Sequence, residues 1–313
     1  MKKVSFVVPV FNEEENIHEF YRRLTKVMAP LPYEYEILFI DDGSKDHTSQ
    51  LVRELAQQDP HVQGYVFARN FGHQLALTCG LDQSTGDAVI SMDGDLQHPP
   101  EMIPQLLEKW EQGYEIVQTV RKATEDATWF KNITSRLYYK LINSMSEVRI
   151  TPGGSDFRLM DRKAVDALNR FRERARFIRG MVNNLGFRTT TIEFVAPPRF
   201  AGHSKFSLKK MLRFALDGIT AFSRVPLRLA LYVGCVAGLC SLLLLLHVIY
   251  VKYVEQDAVP GWTTLACAEF FLGGVELIGI GIVGEYVGRI FDEVKQRPLY
   301  IIREHIVKTA DKQ

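Results

Sequence analysis

The sequence predicts an α/β fold in which a mostly parallel sheet, covered by helices on both faces, is followed by helices that enter a membrane. Three observations predict it. Strand and helix signals alternate through residues 3–112, acidic clusters recur at the ends of the strand signals, and the last third holds long apolar runs of low charge. Alternation of this kind belongs to sheets built from crossover units.

The elements follow in order. Residues 3–11, KVSFVVPVF, form a short apolar run of strand length, as strands buried on both faces do. Residues 13–28, EEENIHEFYRRLTKVM, space their apolar positions for an amphipathic helix. YEILFI (35–40), VQGYVFA (62–68) and DAVISMD (87–93) read as further strands. HTSQLVRELAQQ (47–58), QLALTCGLDQS (74–84) and MIPQLLEKWEQ (102–112) read as the helices between and after them. Ligands of such sheets bind beyond the carboxyl ends of the strands. Glu13, Glu14 and Glu15 follow the first strand, Asp41 and Asp42 the second, and Asp93 and Asp95 the fourth. Their convergence makes a site.

The segment ISMDGDLQHPPE (90–101) crowds two aspartates one residue apart. Two carboxylates held close repel by about a few kcal/mol at intermediate dielectric unless a cation lies beside them. Oxygen-only ligands favour a hard divalent ion, Mg²⁺ or Mn²⁺, which takes one or two carboxylates and completes its shell with substrate phosphates. A nucleoside diphosphate is therefore the expected partner. No GxGxxG follows the first strand and no GxxxxGK[ST] occurs, which counts against dinucleotide oxidoreductases and P-loop enzymes.

The formal net charge of +1 gives no global field for nucleic acid. The four cysteines, Cys79, Cys235, Cys240 and Cys267, form no CxxC pair, so neither a disulfide framework nor a zinc site is expected. The first apolar run stops at NEEEN, too soon for a secretion signal.

Residues 229–251 carry no formal charge, and at about 1.5 Å rise per residue they cross a hydrocarbon core of about 30 Å. Residues 263–287 form a second, glycine-rich run that includes Glu269, Glu276 and Glu285. Lysines and arginines lie before the first run and after the second, while the link between them is acidic. The positive-inside rule then puts both chain ends in the cytoplasm. Gly234/Gly238 and Gly284/Gly288 have the spacing that lets helices approach closely, within the hairpin or in a homo-oligomer. Residues 205–223 interleave aromatic and aliphatic side chains with lysines, as a helix lying in the membrane surface does. The expected organisation is a catalytic domain at 1–204, an interface helix region at 205–224, a two-span hairpin at 225–288 and a cytoplasmic tail at 289–313.

The segments VVPVFNEEENI, FIDDGSKDHT, ARNFGHQLALTCGLDQSTGD, SMDGDLQHPPE, GGSDFRLMDRKAV, RFAGHSKFSLKKMLRFALDGITAFS and FLGGVELIGIGIVGEYVGRIFDEVKQRP together resemble glycosyltransferase family 2, in particular its polyprenyl-phosphate glycosyltransferases. The resemblance covers nearly the whole chain. DDGS and DxD are common to the wider family, and GHSKFSLKK with a two-span hairpin is the more specific signal. It implies a GT-A, Rossmann-like, nucleotide-sugar-binding domain that transfers a sugar from a nucleotide-sugar to a polyprenyl phosphate at the cytoplasmic membrane face. By the same resemblance Pro9, Phe11, Glu13, Asp41 and Asp42 hold the base and ribose, and Asp93, Asp95 and Gln97 serve the metal and diphosphate. Arg121 and Arg136 match basic residues that close over the donor or meet the acceptor phosphate, a region to which Arg199, Ser204 and Lys205 also belong. Asp156 matches a position nominated as catalytic base or acceptor-site carboxylate. The sequence departs from the family pattern in GGSD and in Glu276, where an uncharged polar residue is common.

The resemblance favours UDP-glucose as donor, then UDP-N-acetylglucosamine or another UDP-sugar, then GDP-mannose, with undecaprenyl phosphate as acceptor. A processive polysaccharide synthase would show QxxRW and more apolar runs, and RARFIRG (174–180) stands in that region instead. A nucleotide-sugar-binding scaffold is the non-enzymatic rival. A transporter would need more than two spans to line a path.

Overall fold

The computed structural model describes residues 1–121, 154–174, 176–195, 197, 225–250 and 261–308. The chain divides into two compact units. One holds the sheet and takes in the residues from Arg297 onward, and the other holds two long helices.

The first unit is a sheet flanked by helices. In chain order it contains β1 (Lys3–Val10), α1 (Ile17–Met28), β2 (Glu34–Asp41), α2 (Thr48–Gln58), β3 (Val62–Phe67), α3 (His73–Gln83), β4 (Ala88–Ser91), α4 (Ile103–Glu111) and β5 (Ile116–Arg121). After the undescribed stretch come β6 (Gly154–Asp161), α5 (Arg162–Asn169), α6 (Ile178–Asn184) and β7 (Thr189–Phe194). Among the described residues eight strands join in the order β7-β5-β6-β4-β1-β2-β3-β8, where β8 is Ile302–Ile306.

Every strand and helix expected through residue 112 is present. The reason is visible in burial. Val4 through Val10 are all buried, as a central strand requires. On α1, Ile17, Phe20, Leu24 and Met28 line the stripe that faces the sheet, and Phe20 meets Phe39 of β2 edge to face at 6.0 Å. Burying each such side chain contributes about 1.5–3 kcal/mol.

The sheet is more mixed than the sequence suggests. β1 pairs in parallel with β2 and β4, and β2 with β3, but β6 runs antiparallel between β4 and β5. The 289–313 segment also differs from the expected tail. β8 pairs antiparallel with β3, so this part of the chain closes the sheet's edge. Phe67 stacks on Tyr300 at 5.3 Å, and Tyr65 on His305 at 4.2 Å. An alternating run with charged residues, IREHI, is ordinary for an edge strand.

The second unit contains α7 (Val225–Tyr250) and α8 (Trp262–Val294), which pack on each other. Within α8, Phe271–Val294 is long and apolar enough to cross a membrane, with mean hydropathy 1.4. Its apolar side chains lie open, Leu277 at 71% and Val294 at 72% exposure, the kind of surface that marks a protein or membrane interaction site. The expected interface helix at 205–224 lies outside the described residues.

Candidate active site

The chain runs from β1 out to β2 and β3 on one side, then returns to β4 on the other. That reversal opens a crevice at the carboxyl ends of β1 and β4. β6 enters from the opposite direction, with Ser91 beside Arg158, so its beginning lies on the same rim. Asp42, Asp93 and Asp156 thus come from three strands to one edge.

The loops behind β1 and β2 are stitched together. Asn12 takes a left-handed backbone, φ 53°, which asparagine tolerates. Its Oδ1 accepts from Lys45 N at 2.9 Å, and its own N–H donates to Ser44 Oγ at 2.9 Å. Glu13 N donates to Thr48 Oγ1 at 2.9 Å. Pro9 lies in β1 opposite Ile40, and Phe11 and Glu13 are half-buried on the loop beyond it. Gly43 has φ +72°, and a Cβ there would lie 2.7 Å from the Arg69 carbonyl carbon, so this turn demands glycine.

The adjacent aspartates of DDGS have different tasks. Asp41 turns into its own loop, where Ser44 N donates to Oδ1 at 2.8 Å and the Ser49 hydroxyl donates to Oδ2. Asp42 accepts from Phe71 N at 2.6 Å and Gly72 N at 2.9 Å. Burial pushes the Asp42 carboxyl above its usual range, and those two N–H groups only partly oppose it.

On the β4 side the acidic loop is fastened by His98. Asp93 N donates to His98 Nδ1 at 2.8 Å, and Ser155 Oγ of β6 lies 2.7 Å from Nε2. Since Nδ1 accepts, the ring proton sits on Nε2 and is donated to Ser155, so this histidine is neutral. The ring also stacks on Phe157 at 5.3 Å. Asp95 Oδ1 accepts from Gln97 N at 3.1 Å. Leu96 is buried with φ 62°, a strained conformation for leucine. Strain of this kind concentrates at functional loops.

Asp156 is buried and strongly held. Arg158 Nη2 donates to Oδ1 at 2.9 Å, Arg179 Nε to Oδ1 at 2.9 Å, and Arg179 Nη2 to Oδ2 at 2.8 Å. Burial works against its charge, but His73 and the two guanidinium groups win and hold it well below the usual carboxylate range. A carboxylate so placed is a poor proton acceptor. Between Asp156 and Asp93 stands His73, at the start of α3. Its Nε2 lies 3.5 Å from Asp93 Oδ1 and 3.6 Å from Asp156 Oδ2. Desolvation opposes its protonation, but the two carboxylates raise it to about 9.

Arg121 ends β5 on this rim, opposite Phe194 of β7, and is exposed. Arg136, Arg199, Ser204 and Lys205 lie outside the described residues. His73, Gln74, His98, Arg158 and Arg179 were not singled out from the sequence. Arg158 had a legible signal, since residues two apart on a strand share a face and Asp156 needs a partner there. Arg179 and His73 come from separate helices, and no local pattern joins them to Asp156.

The residues suit a divalent cation. Among the described residues no group of three or more His, Cys, Asp or Glu closes around an ion. The pair Asp93 and Asp95 instead offers oxygen donors on one loop, as expected where substrate phosphates complete the shell. Asp93 is one-third open; His73 Nε2 lies 3.5 Å from its Oδ1 and His98 Nδ1 3.6 Å from its Oδ2.

Residues 5–168 match the family described as Glycosyl transferase family 2. Over 302 residues the chain is 45% identical to the bactoprenol glucosyl transferase of Shigella phage SfII, covering 96% of this chain and 98% of that protein. It is 44% identical to the uncharacterized glycosyltransferase YkcC of Bacillus subtilis (strain 168), covering 96% and 93%. Among solved structures it is similar to glucosyl-3-phosphoglycerate synthase from Mycobacterium tuberculosis in complex with Mn²⁺, UDP and phosphoglyceric acid. That likeness has 19% identity and a TM-score of 0.48, over 70% of this chain and 76% of the other. A family match over the acidic rim and relatives of this identity along nearly the whole length make the conclusion plain: the chain belongs to glycosyltransferase family 2, and its mixed sheet is the GT-A fold of a transferase.

Proposed function

We propose that this transferase moves glucose from UDP-glucose to undecaprenyl phosphate, with inversion at the anomeric carbon, using Mg²⁺ or Mn²⁺ at the cytoplasmic face of the membrane. The observation that carries the reading is the meeting of Asp42, Asp93 and Asp156 on one rim, in a chain whose near-full-length relatives include enzymes named bactoprenol glucosyl transferase.

Asp42, with Pro9, Phe11 and Glu13, receives the uridine. A carboxylate held by backbone N–H groups alone keeps acceptor capacity for neutral hydroxyl and imide donors. Asp93 and Asp95 hold the cation beside the diphosphate, with Gln97 next to them. When bound, the ion offsets the charge that grows on the departing UDP. Arg121, at the open end of β5, adds to that stabilisation. A phosphate monoester is largely ionised near neutral pH, so the acceptor needs no strong base. Asp156 therefore acts as an anchor that keeps Arg179 and His73 in place beside the reacting groups. Arg136, Arg199 and Lys205 supply the positive charge that lets a second anion enter, and Ser204 offers that anion a neutral hydroxyl donor.

Connectivity and charge distribution support a membrane arrangement for this reading. β1 and β8 belong to one sheet, which supports an even number of crossings between them. With α7 crossing beside α8 the reading is a two-span hairpin, and the lysines and arginines before the first apolar run and after the second support a cytoplasmic catalytic domain and chain ends. The 205–224 region then lies in the interface, and the glycine spacings of both spans suit a homo-oligomer.

The test incubates the purified full-length protein with undecaprenyl phosphate, Mg²⁺ or Mn²⁺, and UDP-glucose, UDP-N-acetylglucosamine or GDP-mannose in turn. The expected result is a lipid heavier by one hexose with UDP-glucose, β-linked by NMR, and abolished by chelation. Preference for another nucleotide-sugar replaces the donor assignment. Failure of every donor with the folded protein overturns the reaction.

A further inference from the structure

One short turn touches all three acidic strand ends. The N–H groups of Phe71 and Gly72 hold Asp42. The next side chain, His73, reaches Asp93 and Asp156 at 3.5 and 3.6 Å. Gln74 extends the link, donating to Asp156 Oδ2 at 3.4 Å and accepting from Ile178 N of α6 at 3.1 Å. Gly72 makes this possible. Its φ of +105° with ψ 151° lies in a region essentially reserved for glycine. It lets two consecutive N–H groups face one carboxylate while the following side chain turns to the other strands.

The Asp93 carboxylate has its backbone fixed by His98 and its side chain bordered by His73. A ligand carboxylate that is aimed by a neighbour binds a cation better than one that rotates freely, because the ordering cost is met before binding. Asp156 is itself held between two arginines, at 2.9 and 2.8 Å. With Nε2 at 3.5 Å from Asp93 and 3.6 Å from Asp156, His73 can limit the orientations open to the Asp93 carboxylate.

We infer that the Phe71–His73 turn is the positioning element of the donor site, and that His73 is a positioning residue holding Asp93 for the divalent cation by bridging it to the Asp156–Arg158–Arg179 cluster. This rests on the metal-dependent donor site proposed above and adds the residue that orders it. The turn couples the two halves of the site: the same three residues set the uridine-side carboxylate and the metal-side carboxylate.

The test is Mn²⁺ binding to the full-length protein, followed by electron paramagnetic resonance with the metal alone and with UDP, without turnover. His73→Leu is expected to raise the Mn²⁺ dissociation constant roughly 10–100-fold, the usual effect of removing a residue that orients a ligand. His73→Gln, whose amide nitrogen reaches as far as Nε2, is expected to bind within about threefold of wild type, and the shorter His73→Asn is expected to resemble His73→Leu. Gly72→Ala, which meets no atom within 4 Å but cannot hold the same φ, is expected to weaken both Mn²⁺ and UDP. Wild-type Mn²⁺ affinity in His73→Leu, with binding lost in Asp93→Asn, overturns the inference and leaves the metal site standing. Equal affinity of the Gln and Asn variants overturns it even if His73→Leu does not fold. Unchanged Mn²⁺ binding in Asp93→Asn overturns the metal site itself.

Discussion

Asp42 and Asp156 are almost equally buried, at 3% and 4% exposure, on the same rim, yet the protein holds them in opposite ways. Asp42 has backbone N–H donors from one turn, and burial raises its pKa. Asp156 has two guanidinium partners, and its pKa falls well below normal. Burial alone therefore does not decide what a carboxylate does. Dipoles fix the geometry of Asp42 and leave its charge incompletely offset, which suits a group that meets a polar ligand. Arginines neutralise Asp156 and spend its oxygens, which suits a strut.

Removing each carboxylate gives the largest contrast. Asp156→Ala leaves Arg158, itself 2% exposed, as an uncompensated buried charge, and is expected to cost about 3–5 kcal/mol in urea unfolding. Asp42→Ala leaves only N–H groups without an acceptor, and is expected to cost about 1–3 kcal/mol. The double change Asp156→Leu with Arg158→Met is expected to recover much of the stability, because apolar replacement of a buried ion pair is often neutral. If the double variant is no more stable than Asp156→Ala, the pair is not the source of the cost.

Acid separates the two carboxylates by sign. The folded pKa of Asp156 is depressed, so its contribution is present above the unfolded value of about 3.9 and is lost as pH falls toward the folded one. The folded pKa of Asp42 is raised, so its ionisation costs stability as pH rises through that value, and the cost disappears in acid. Urea unfolding from about pH 7 to about pH 3.5 should therefore show wild type losing ground to Asp156→Asn and gaining ground on Asp42→Asn. Parallel slopes would mean that both sites respond to the same environment.

Asp42 was legible in the sequence, and the anchoring of Asp156 was not, for a physical reason. Asp42 follows an apolar strand and precedes a turn that needs Gly43, so local chemistry announces it. Asp156 depends on Arg179, which belongs to a helix 23 residues later, and such partners are set by how elements pack. The same holds for the sheet. Strands β1 to β4 each carry their own apolar run, whereas the insertion of β6 between β4 and β5 is fixed only by pairing register. β8 falls within the expected tail, although IREHI alternates aliphatic with polar residues as an edge strand does. Its strand character comes from the exposed edge of β3. His73 and His98 look alike in sequence, yet one borders two carboxylates and the other is a neutral clasp.

The comparison extends to an ion pair at the sheet's open edge. Arg53 Nη2 donates to both oxygens of Glu304 on β8, at 2.9 and 3.0 Å, much as Arg179 grips Asp156. Its partners are 42% and 39% exposed, so water competes for both and side-chain ordering offsets most of the attraction. Glu304→Gln is expected to cost less than about 1 kcal/mol, and to cost less still in high salt, where exposed charges are screened. β8 would stay on the sheet, because its ladder with β3 and the Phe67–Tyr300 stack remain. A loss above about 2 kcal/mol, read by urea unfolding at low and high salt, would show that contact geometry outweighs burial, and the contrast drawn between Asp42 and Asp156 would fail with it.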